Sequence, residues 1–251
     1  MDFPYRLEDQ TVMPGGLRRW AIPLVLLGVV VAYQQGPALW ARMFATDLSY
    51  TALDDPAGFV VLDREGVAIT SGAAVFAGLD APEPMFEGDI CTALFDGRTP
   101  RIAYFYDRNC PVCRRQEAVF EALGLSVVDH PVALLGAGSA VAARALIAAE
   151  AQGGVEALRA RLMRSPVVVD DGAVRQMAEV AGLDADRLVA DMGSARVERA
   201  LEENHLLFNR FGFIGTPAIV VEGIVALGFV DEATLSAMMT SGREGVAPCG
   251  E

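Results

Sequence analysis

Two cysteines separated by two residues, Cys110 and Cys113, are the residues of this 251-residue chain best suited to chemistry. A pair at this spacing can close a small disulfide ring and exchange it with other thiols. Pro111 follows Cys110 and suits the first turn of a helix, where its missing amide hydrogen has no acceptor to lose. The Cys-Pro-Val-Cys run therefore predicts a redox pair at the start of a helix.

The helix start also predicts which of the two sulfurs reacts. Unpaired amide groups and the positive end of the helix dipole lower the pKa of a cysteine there below the free value of about 8.5. We therefore expect Cys110 to be the exposed, exchanging sulfur. We expect Cys113, one turn further along, to be more buried and to resolve the mixed disulfide. Asp107 and Arg108, just before the pair, are expected to be solvated turn charges.

Two cysteines at this spacing also form half of many zinc sites, so the residues around the pair are needed to distinguish a redox pair from a zinc site. Zinc needs four ligands, and the chain has no second Cys-x-x-Cys motif and only two histidines, His130 and His205. We expect both histidines to be structural, and we expect no metal site and no cofactor. A membrane-tethered copper or zinc chaperone that uses the cysteines as soft ligands stays an alternative class of function.

The elements predicted around the pair are those of an α/β fold. Residues 102–106 form a short apolar run typical of a buried strand, and the helix that begins at the motif ends at Gly124. A second strand within 125–135 completes a strand–helix–strand unit. The elements predicted after it are a helical block at about 138–210, strands at 218–221 and 224–228, and a helix at 231–241.

A Gly215-Thr216-Pro217 segment lies about a hundred residues after the cysteine pair, directly before a predicted strand. The strand, the Cys-x-x-Cys helix, the inserted helical block and this segment together resemble the DsbA-like branch of the thioredoxin superfamily, over roughly residues 101–241. The resemblance implies a thioredoxin-like α/β fold with an inserted helical subdomain. It also implies that the Thr216–Pro217 bond is cis, packs beside the cysteines and binds an extended substrate segment.

The activity that the resemblance implies is the formation or exchange of disulfide bonds in secreted or envelope proteins, through a mixed disulfide. The implied partners are cysteine-containing extracytoplasmic proteins and a membrane protein that resets the redox state. An oxidase, a reductase and an isomerase all remain open as the direction of the reaction.

Pro111 and Val112, between the cysteines, are expected to tune the redox pair. Val112 stands where the best-known oxidase of the family has histidine, so we expect a less depressed pKa of Cys110 and weaker oxidising power. Tyr104 stands where related proteins often carry a buried acid, so another group or water has to move the proton of Cys113.

The N-terminal part of the chain predicts a membrane anchor. Residues 20–35 carry no charge, and Trp20 and Tyr33 bracket the apolar run as interfacial aromatic residues do. Two arginines precede the run, which places residues 1–19 in the cytoplasm and the catalytic domain outside. We therefore expect a single-pass protein of the bacterial inner membrane with a periplasmic domain. A cleaved signal peptide and a buried core helix are the alternatives.

The predicted division of the chain is 1–19 cytoplasmic, 20–35 spanning the bilayer, 36–95 a linker with a short β-rich extension, 96–245 the DsbA-like thioredoxin domain, and 246–251 a tail. Within the extension, two β-rich runs at 58–62 and 67–69 around a polar turn predict a hairpin.

Two further cysteines, Cys91 and Cys249, lie outside the motif. In an oxidising compartment, a structural disulfide between them would tie the extension to the tail. The alternatives are two unrelated cysteines, or a relay that passes electrons to Cys110.

The charge of the chain excludes one class of partner. It has 33 Asp and Glu against 20 Lys and Arg, which gives a formal net charge of −13, and its basic residues are all Arg and are scattered. Because binding to a phosphate backbone needs clustered positive charge, we expect no nucleic acid partner.

Overall fold

The computed structural model describes residues 48–64, 85–97, 99, 101–165, 170–245 and 248–249. All of them belong to one compact unit of the chain, residues 47–251. The predicted cytoplasmic segment 1–19 and the predicted anchor 20–35 lie outside the described residues. Among the helices of the described ranges, none is both long and apolar enough to cross a bilayer.

The strands of the described residues form one mixed sheet. Their bounds are β1 Tyr50–Ala52, β2 Val60–Leu62, β3 Ile102–Tyr106, β4 Val128–Pro131, β5 Ala218–Val221 and β6 Ile224–Leu227. Their order across the sheet is β1-β2-β6-β5-β3-β4. Because β3 is parallel to β4 and antiparallel to β5, the carboxyl ends of β3 and β4 meet the amino end of β5. The turn after β3 therefore lies between the loop after β4 and the loop before β5.

Helices fill the intervals between most of the strands. Their bounds are α1 Ile90–Phe95, α2 Pro111–Leu123, α3 Ala137–Glu150, α4 Val155–Arg164, α5 Asp171–Val180, α6 Ala185–Met192, α7 Ala195–Arg210 and α8 Glu232–Gly245. The helices α3 to α7 lie between β4 and β5 in the chain and form the inserted helical block that the sequence predicts. Asp170, Asp184 and Ser194 cap α5, α6 and α7, each by accepting a hydrogen bond from an amide of the first turn.

The ends of α2 are set by local sequence. Cys110 is its N-cap residue, Pro111 is its first residue, and Gly124 ends it with a φ of 62°. This left-handed conformation costs glycine no Cβ clash. The buried Gln116 then anchors the helix, since its amide donates to the Val230 carbonyl at 3.0 Å and its oxygen accepts from the Val230 amide at 2.8 Å.

Two apolar clusters lie on the two faces of the sheet, and β3 contributes to both. Tyr104 and Tyr106 belong to the cluster that contains Phe120 of α2 and the inner side of the helical block. Phe105 belongs to the other cluster, with Phe208 of α7. All five residues of β3 are buried, which confirms the prediction of a buried strand. The central strand is therefore fixed from both sides directly before the turn that carries the cysteines.

The structure corrects one expectation for the segment before residue 96. A β-rich extension is an incomplete description, because Ile90–Phe95 is a helix. Asp89 caps that helix by accepting a hydrogen bond from the Thr92 amide, and this local cap favours the helix. Of the predicted hairpin, the first run contains β2, which pairs with β1 and β6, and the second run, 67–69, lies outside the described residues.

Candidate active site

The turn after β3 delivers both cysteines to the first turn of α2. The Sγ of Cys110 accepts a hydrogen bond from the Cys113 amide at 3.3 Å. The same sulfur lies 3.2 Å from the carbonyl oxygen of Thr216, to which the thiol donates. Both cysteines are free thiols. The structure thus brings Cys110, Cys113 and Thr216 together, although 106 residues separate the first from the last.

Both sulfurs are less accessible than the sequence predicts. Cys110 is only 5% exposed and Cys113 is fully buried, at 0%. The expectation that Cys110 is exposed is wrong in degree, since the carbonyl of Thr216 lies directly against its sulfur. The order of exposure is the expected one. Of the two cysteines, only Cys110 keeps accessible surface.

Hydrogen bonding and burial give the two thiols very different acidities. The pKa of Cys110 is lowered to about 6, chiefly by a hydrogen bond from the Cys113 side chain. Hydrogen bonds from the Cys113 and Val112 amides and from the Thr216 side chain lower it further, whereas burial raises it. Burial raises the pKa of Cys113 far above its ordinary value. Near neutral pH, Cys110 is therefore a thiolate and Cys113 a thiol.

The Thr216–Pro217 peptide bond is cis, as the family resemblance implies. Pro217 immediately precedes β5, and its carbonyl accepts a hydrogen bond from the Gly228 amide at 2.7 Å. We call residues 214–217 the cis-proline loop. It lies at the end of the sheet where β3 ends, and this position brings it beside Cys110.

A buried carboxylate, that of Asp107, organises the turn before the cysteines. It accepts hydrogen bonds from the amides of Asn109 at 2.7 Å, Leu134 at 2.7 Å and Leu135 at 2.9 Å, and from the Ser139 hydroxyl at 2.6 Å. The expectation of a solvated turn charge is wrong, because the loop after β4 covers Asp107, which is 0% exposed. Four donors satisfy the carboxylate, so its burial leaves no oxygen without a partner.

Arg108 is also buried, which again contradicts the expectation of a solvated charge. Its guanidinium donates to the carbonyls of Leu162 at 3.1 Å and Ser165 at 2.5 Å, and to the side chain of Asn109 at 2.7 Å. The two carbonyls belong to the end of α4. Arg108 therefore ties the turn that precedes the cysteines to the helical block, a contact for which the sequence carried no signal.

Tyr104 stands where the family resemblance leads us to expect a buried acid. Its hydroxyl donates to the Cys113 carbonyl at 3.0 Å. Burial raises the pKa of Tyr104 well above its ordinary value. Tyr104 therefore stays neutral and supports the backbone of the active-site helix, and it does not act as a base.

A buried ionic cluster lies beside α2. The Nε of Arg159 is 3.4 Å from Oε2 of Glu117, and another nitrogen of the same guanidinium pairs with Asp129. Burial raises the pKa of Glu117 to about 7, and the positive charge of Arg159 opposes that shift. The cluster joins the active-site helix, the strand β4 and the helical block through one arginine.

Both histidines make hydrogen bonds within the fold. The ring of His130 contacts the Asn204 side chain at 3.1 Å and the Leu94 carbonyl at 3.0 Å. His205 accepts a hydrogen bond from the Ala133 amide at 3.1 Å. Within the described ranges, no three His, Cys, Asp or Glu side chains come together in a way that could hold a metal ion.

Cys91 of α1 and Cys249 of the tail form a disulfide that joins residues 158 positions apart in the chain. Cys249 packs in the same apolar cluster as Phe95. Arg101, directly before β3, also donates to the Cys249 carbonyl. Of the three alternatives for these cysteines, the structure has the disulfide, and it holds the tail against α1 and the start of β3.

Comparison with known proteins agrees with this geometry. The sequence profile of the DSBA-like thioredoxin domain matches residues 101–239, which is more than half of the chain. The chain belongs to the DSBA-like thioredoxin domain family. Cys110, Cys113 and the cis-proline loop lie within the matched DSBA-like domain, whereas β1, β2 and the Cys91–Cys249 disulfide lie outside it.

Solved structures resemble this DSBA-like domain over most of their own length. A thioredoxin-like oxidoreductase from Silicibacter pomeroyi DSS-3 is 31% identical with a TM-score of 0.56, and the match covers 61% of this chain and 98% of that one. A periplasmic thioredoxin-like protein from Salmonella enterica serovar Typhimurium is 23% identical with a TM-score of 0.53, covering 64% and 99%. The catalytic domain of Proteus mirabilis ScsC is 22% identical with a TM-score of 0.53, covering 61% and 94%. A search of curated proteins found no match.

Proposed function

We propose that this chain is a thiol–disulfide oxidoreductase that works through Cys110 and Cys113. The observation that carries the proposal is the division of acidity between two neighbouring sulfurs. The pKa of Cys110 is lowered to about 6, and that of the buried Cys113 is raised. A thiolate at the accessible position is the nucleophile and leaving group that exchange requires.

In the oxidising direction, a substrate thiolate attacks the Sγ of Cys110 in the disulfide form of the pair. The Cys110–Cys113 bond breaks, and Cys113 leaves as a thiolate and takes up a proton, as its raised pKa requires. A second substrate thiolate then attacks the substrate sulfur of the mixed disulfide and expels Cys110 as a thiolate. Two electrons pass from the substrate dithiol to the cysteine pair; one substrate proton goes to Cys113 and the other to solvent.

The acidity of Cys110 supports this direction. A stabilised thiolate favours the reduced pair over its disulfide, so it makes the disulfide a better oxidant. A pKa of about 6 lies between the values of roughly 7 in thioredoxin and roughly 3.5 in DsbA. We therefore propose an oxidant of intermediate strength, consistent with Val112 in place of histidine.

A metal chaperone receives less support from the same site. A soft metal ion requires both cysteines as thiolates. Burial raises the pKa of Cys113 and opposes its ionisation. We therefore favour thiol exchange over metal transfer.

The cis-proline loop is the proposed binding site for the backbone of the substrate, with Thr216 and Pro217 as its contact residues. We propose that the substrates are cysteine-containing extracytoplasmic proteins, that a membrane partner resets the redox state, and that residues 20–35 tether the protein to the inner membrane. The Cys91–Cys249 disulfide suits an oxidising compartment. One protein with the same fold is described as periplasmic.

Oxidative refolding of reduced ribonuclease, followed by recovered ribonuclease activity, tests the proposal. The full chain should accelerate refolding, and Cys110→Ser should abolish the acceleration. Cys113→Ser should accumulate a mixed disulfide that is visible on a non-reducing gel, because the resolving thiol is gone. The matched control is the Cys91→Ala and Cys249→Ala double variant, which should remain active. Full activity of Cys110→Ser would show that the proposal is wrong.

A further inference from the structure

Arg114 and Arg115 directly follow the cysteine pair and lie in the second turn of α2. The amide of Arg114 donates to the Cys110 carbonyl at 3.4 Å, so this arginine lies one helical turn after the reactive cysteine. Because an α-helix has about 3.6 residues per turn, Arg114 and Arg115 come to lie on either side of Pro111. All three of these residues are exposed. The two arginines therefore flank the solvent side of the first turn of α2.

The positions of the two arginines direct their charge toward the cysteines. A long side chain on an α-helix leans toward the amino end of the helix and covers the preceding turn. For Arg114, this direction is supported by its effect on Arg108, two residues before Cys110. The pKa of Arg108 is lowered, first by burial and then by the positive charge of Arg114. The charge of Arg114 therefore acts on the turn that carries Cys110.

Phe229 holds the guanidinium of Arg115. The Cζ atom of Arg115 lies 4.6 Å from the centroid of the Phe229 ring, a cation–π contact. The next residue, Val230, is fixed to α2 by two hydrogen bonds between its backbone and the Gln116 side chain. The following acid, Asp231, accepts an amide hydrogen bond in the first turn of α8. Contact over the ring occupies one flat face of the guanidinium, so its N–H donors remain able to bind a carboxylate.

The charges of Arg114 and Arg115 are not neutralised by ion pairs. No carboxylate of the described residues forms an ion pair with either arginine. The first turn of α2 has no acid, and Glu117 and Glu121 further along this helix pair with arginines of α4 instead. The chain as a whole has a formal net charge of −13. The charge beside the redox pair is therefore opposite in sign to that of the whole chain.

We propose that Arg114 and Arg115 form a subsite that binds a carboxylate of the substrate beside its reacting cysteine. The inference rests on the proposed function and specifies its substrate class. That class is a segment in which Asp or Glu stands next to the reacting cysteine or one residue further along.

The dimensions of the mixed disulfide fit this assignment. The substrate sulfur is bonded to the Cys110 Sγ at about 2.05 Å. Side chains four positions apart on a helix, as Cys110 and Arg114 are, have their Cβ atoms about 5–6 Å from each other. Successive Cα atoms of the substrate are about 3.8 Å apart, so an acidic side chain one or two residues from the substrate cysteine reaches the arginines. Because charges attract before contact, the subsite also raises the rate of association.

The test compares two peptides that each carry a cysteine pair and differ only in two Glu or two Lys beside the first cysteine. Stopped flow measures the rate at which each peptide reduces the oxidised full chain. Each rate is divided by the rate of the same peptide with 2-hydroxyethyl disulfide, which corrects for the effect of the added charges on thiol acidity. At low ionic strength, the parent should react about tenfold faster with the Glu peptide. The net charge of the chain alone predicts the opposite order.

The Arg114→Gln and Arg115→Gln double variant should lose the preference for the Glu peptide, because the net charge of the chain then repels that peptide. Both peptides attack the same sulfur, so a general change in the reactivity of the pair cancels in the ratio of their rates. The variant should still be reduced by dithiothreitol, an uncharged dithiol. In about 0.5 M salt, the parental ratio should fall toward one, because exposed charges are then screened.

The Arg196→Gln and Arg199→Gln double variant is the matched control, because it removes the same charge from two exposed arginines of α7. Arg196 donates to the Ile147 carbonyl at 3.4 Å. This carbonyl lies about 12 Å along α3 from Ser139, which contacts Asp107 in the turn before the cysteines. The control variant should keep the preference for the Glu peptide.

Three results would overturn the proposed subsite: no preference for the Glu peptide in the parent, a preference that survives in the Arg114→Gln and Arg115→Gln variant, or a preference that is lost in the α7 control. If the parent is not reduced even by dithiothreitol, the proposed function itself fails, and the two failures are thereby distinguished.

Discussion

The Sγ of Cys110 lies 3.3 Å from the amide nitrogen of Cys113, the residue that the proposed mechanism pairs with it. This hydrogen bond makes the nucleophile the cap of its own helix. The negative charge of the thiolate is therefore stabilised by the group that begins α2 and by the positive end of the helix dipole. The first turn of the helix and the reactivity of the sulfur are consequences of one contact.

The lowered pKa of Cys110 predicts the pH dependence of its alkylation. The rate constant with iodoacetamide should rise with a midpoint near pH 6, where Cys110 ionises, because only the thiolate reacts. An ordinary cysteine has its midpoint at about 8.5. The rate is followed by mass spectrometry of the reduced protein, in which the peptide that carries the modification at Cys110 is quantified. A midpoint at or above pH 8 would show that the fold does not lower the pKa of Cys110.

The same pKa also predicts how the stability of the reduced protein depends on pH. Because the folded pKa of Cys110 lies below the unfolded value, the unfolded chain binds more protons between about pH 6 and 8.5. The free energy of unfolding should therefore rise with pH across this window, relative to Cys110→Ser. Denaturant titrations of the reduced proteins measure the difference. The oxidised protein, which has no free thiol at this pair, should not show it.

Glu117→Gln should become more stable relative to the parent as pH rises from about 4.5 to 7. The pKa of Glu117 is raised to about 7, so the folded state binds the extra proton in this window and the parent loses stability there. The difference between the free energies of unfolding of Glu117→Gln and the parent should grow to at most about 3 kcal/mol and stay constant above pH 7. The control is Glu121→Gln, an exposed carboxylate of the same helix. Parallel pH profiles for Glu117→Gln and the parent would refute the assignment.

The Cys91→Ala and Cys249→Ala double variant should be less stable by about 2–4 kcal/mol, because the disulfide closes a loop of 158 residues. Its Cys110–Cys113 pair should keep the parental redox behaviour, because the bridge lies at α1 and the tail. Thermal unfolding and glutathione exchange of both proteins measure the two effects. A changed exchange rate with unchanged stability would support the relay in place of a structural role.

Much of the fold could be predicted from the sequence because its signals are local. The apolar run at 102–106 is a strand with those bounds, and the predicted strand at 218–221 is also observed. The cysteine helix begins and ends at the residues that its proline and Gly124 indicate. In each case, residues that are neighbours in the chain determine where the strand or helix begins and ends.

The misinterpreted parts depend on partners that are distant in the chain. Asp107 was expected in solvent because its donors at Leu134, Leu135 and Ser139 come from a loop and a helix that follow β4. The strand β1 lies within the segment 36–95 that the sequence predicts to be a linker with a short β-rich extension, since three residues with little apolar character become a strand only by pairing with β2. The exposure of Cys110 was overestimated because the covering group, Thr216, is 106 positions away.

The redox equilibrium of the Cys110–Cys113 pair with glutathione, measured in the full chain, shows whether this pair is the redox centre. We expect reversible two-electron exchange with a reduction potential between about −270 and −120 mV, the values of thioredoxin and DsbA. The Cys91→Ala and Cys249→Ala double variant should give the same potential, and Cys110→Ser should show no transition. A parent that shows no reversible exchange with glutathione would contradict the claim that this pair is the redox centre.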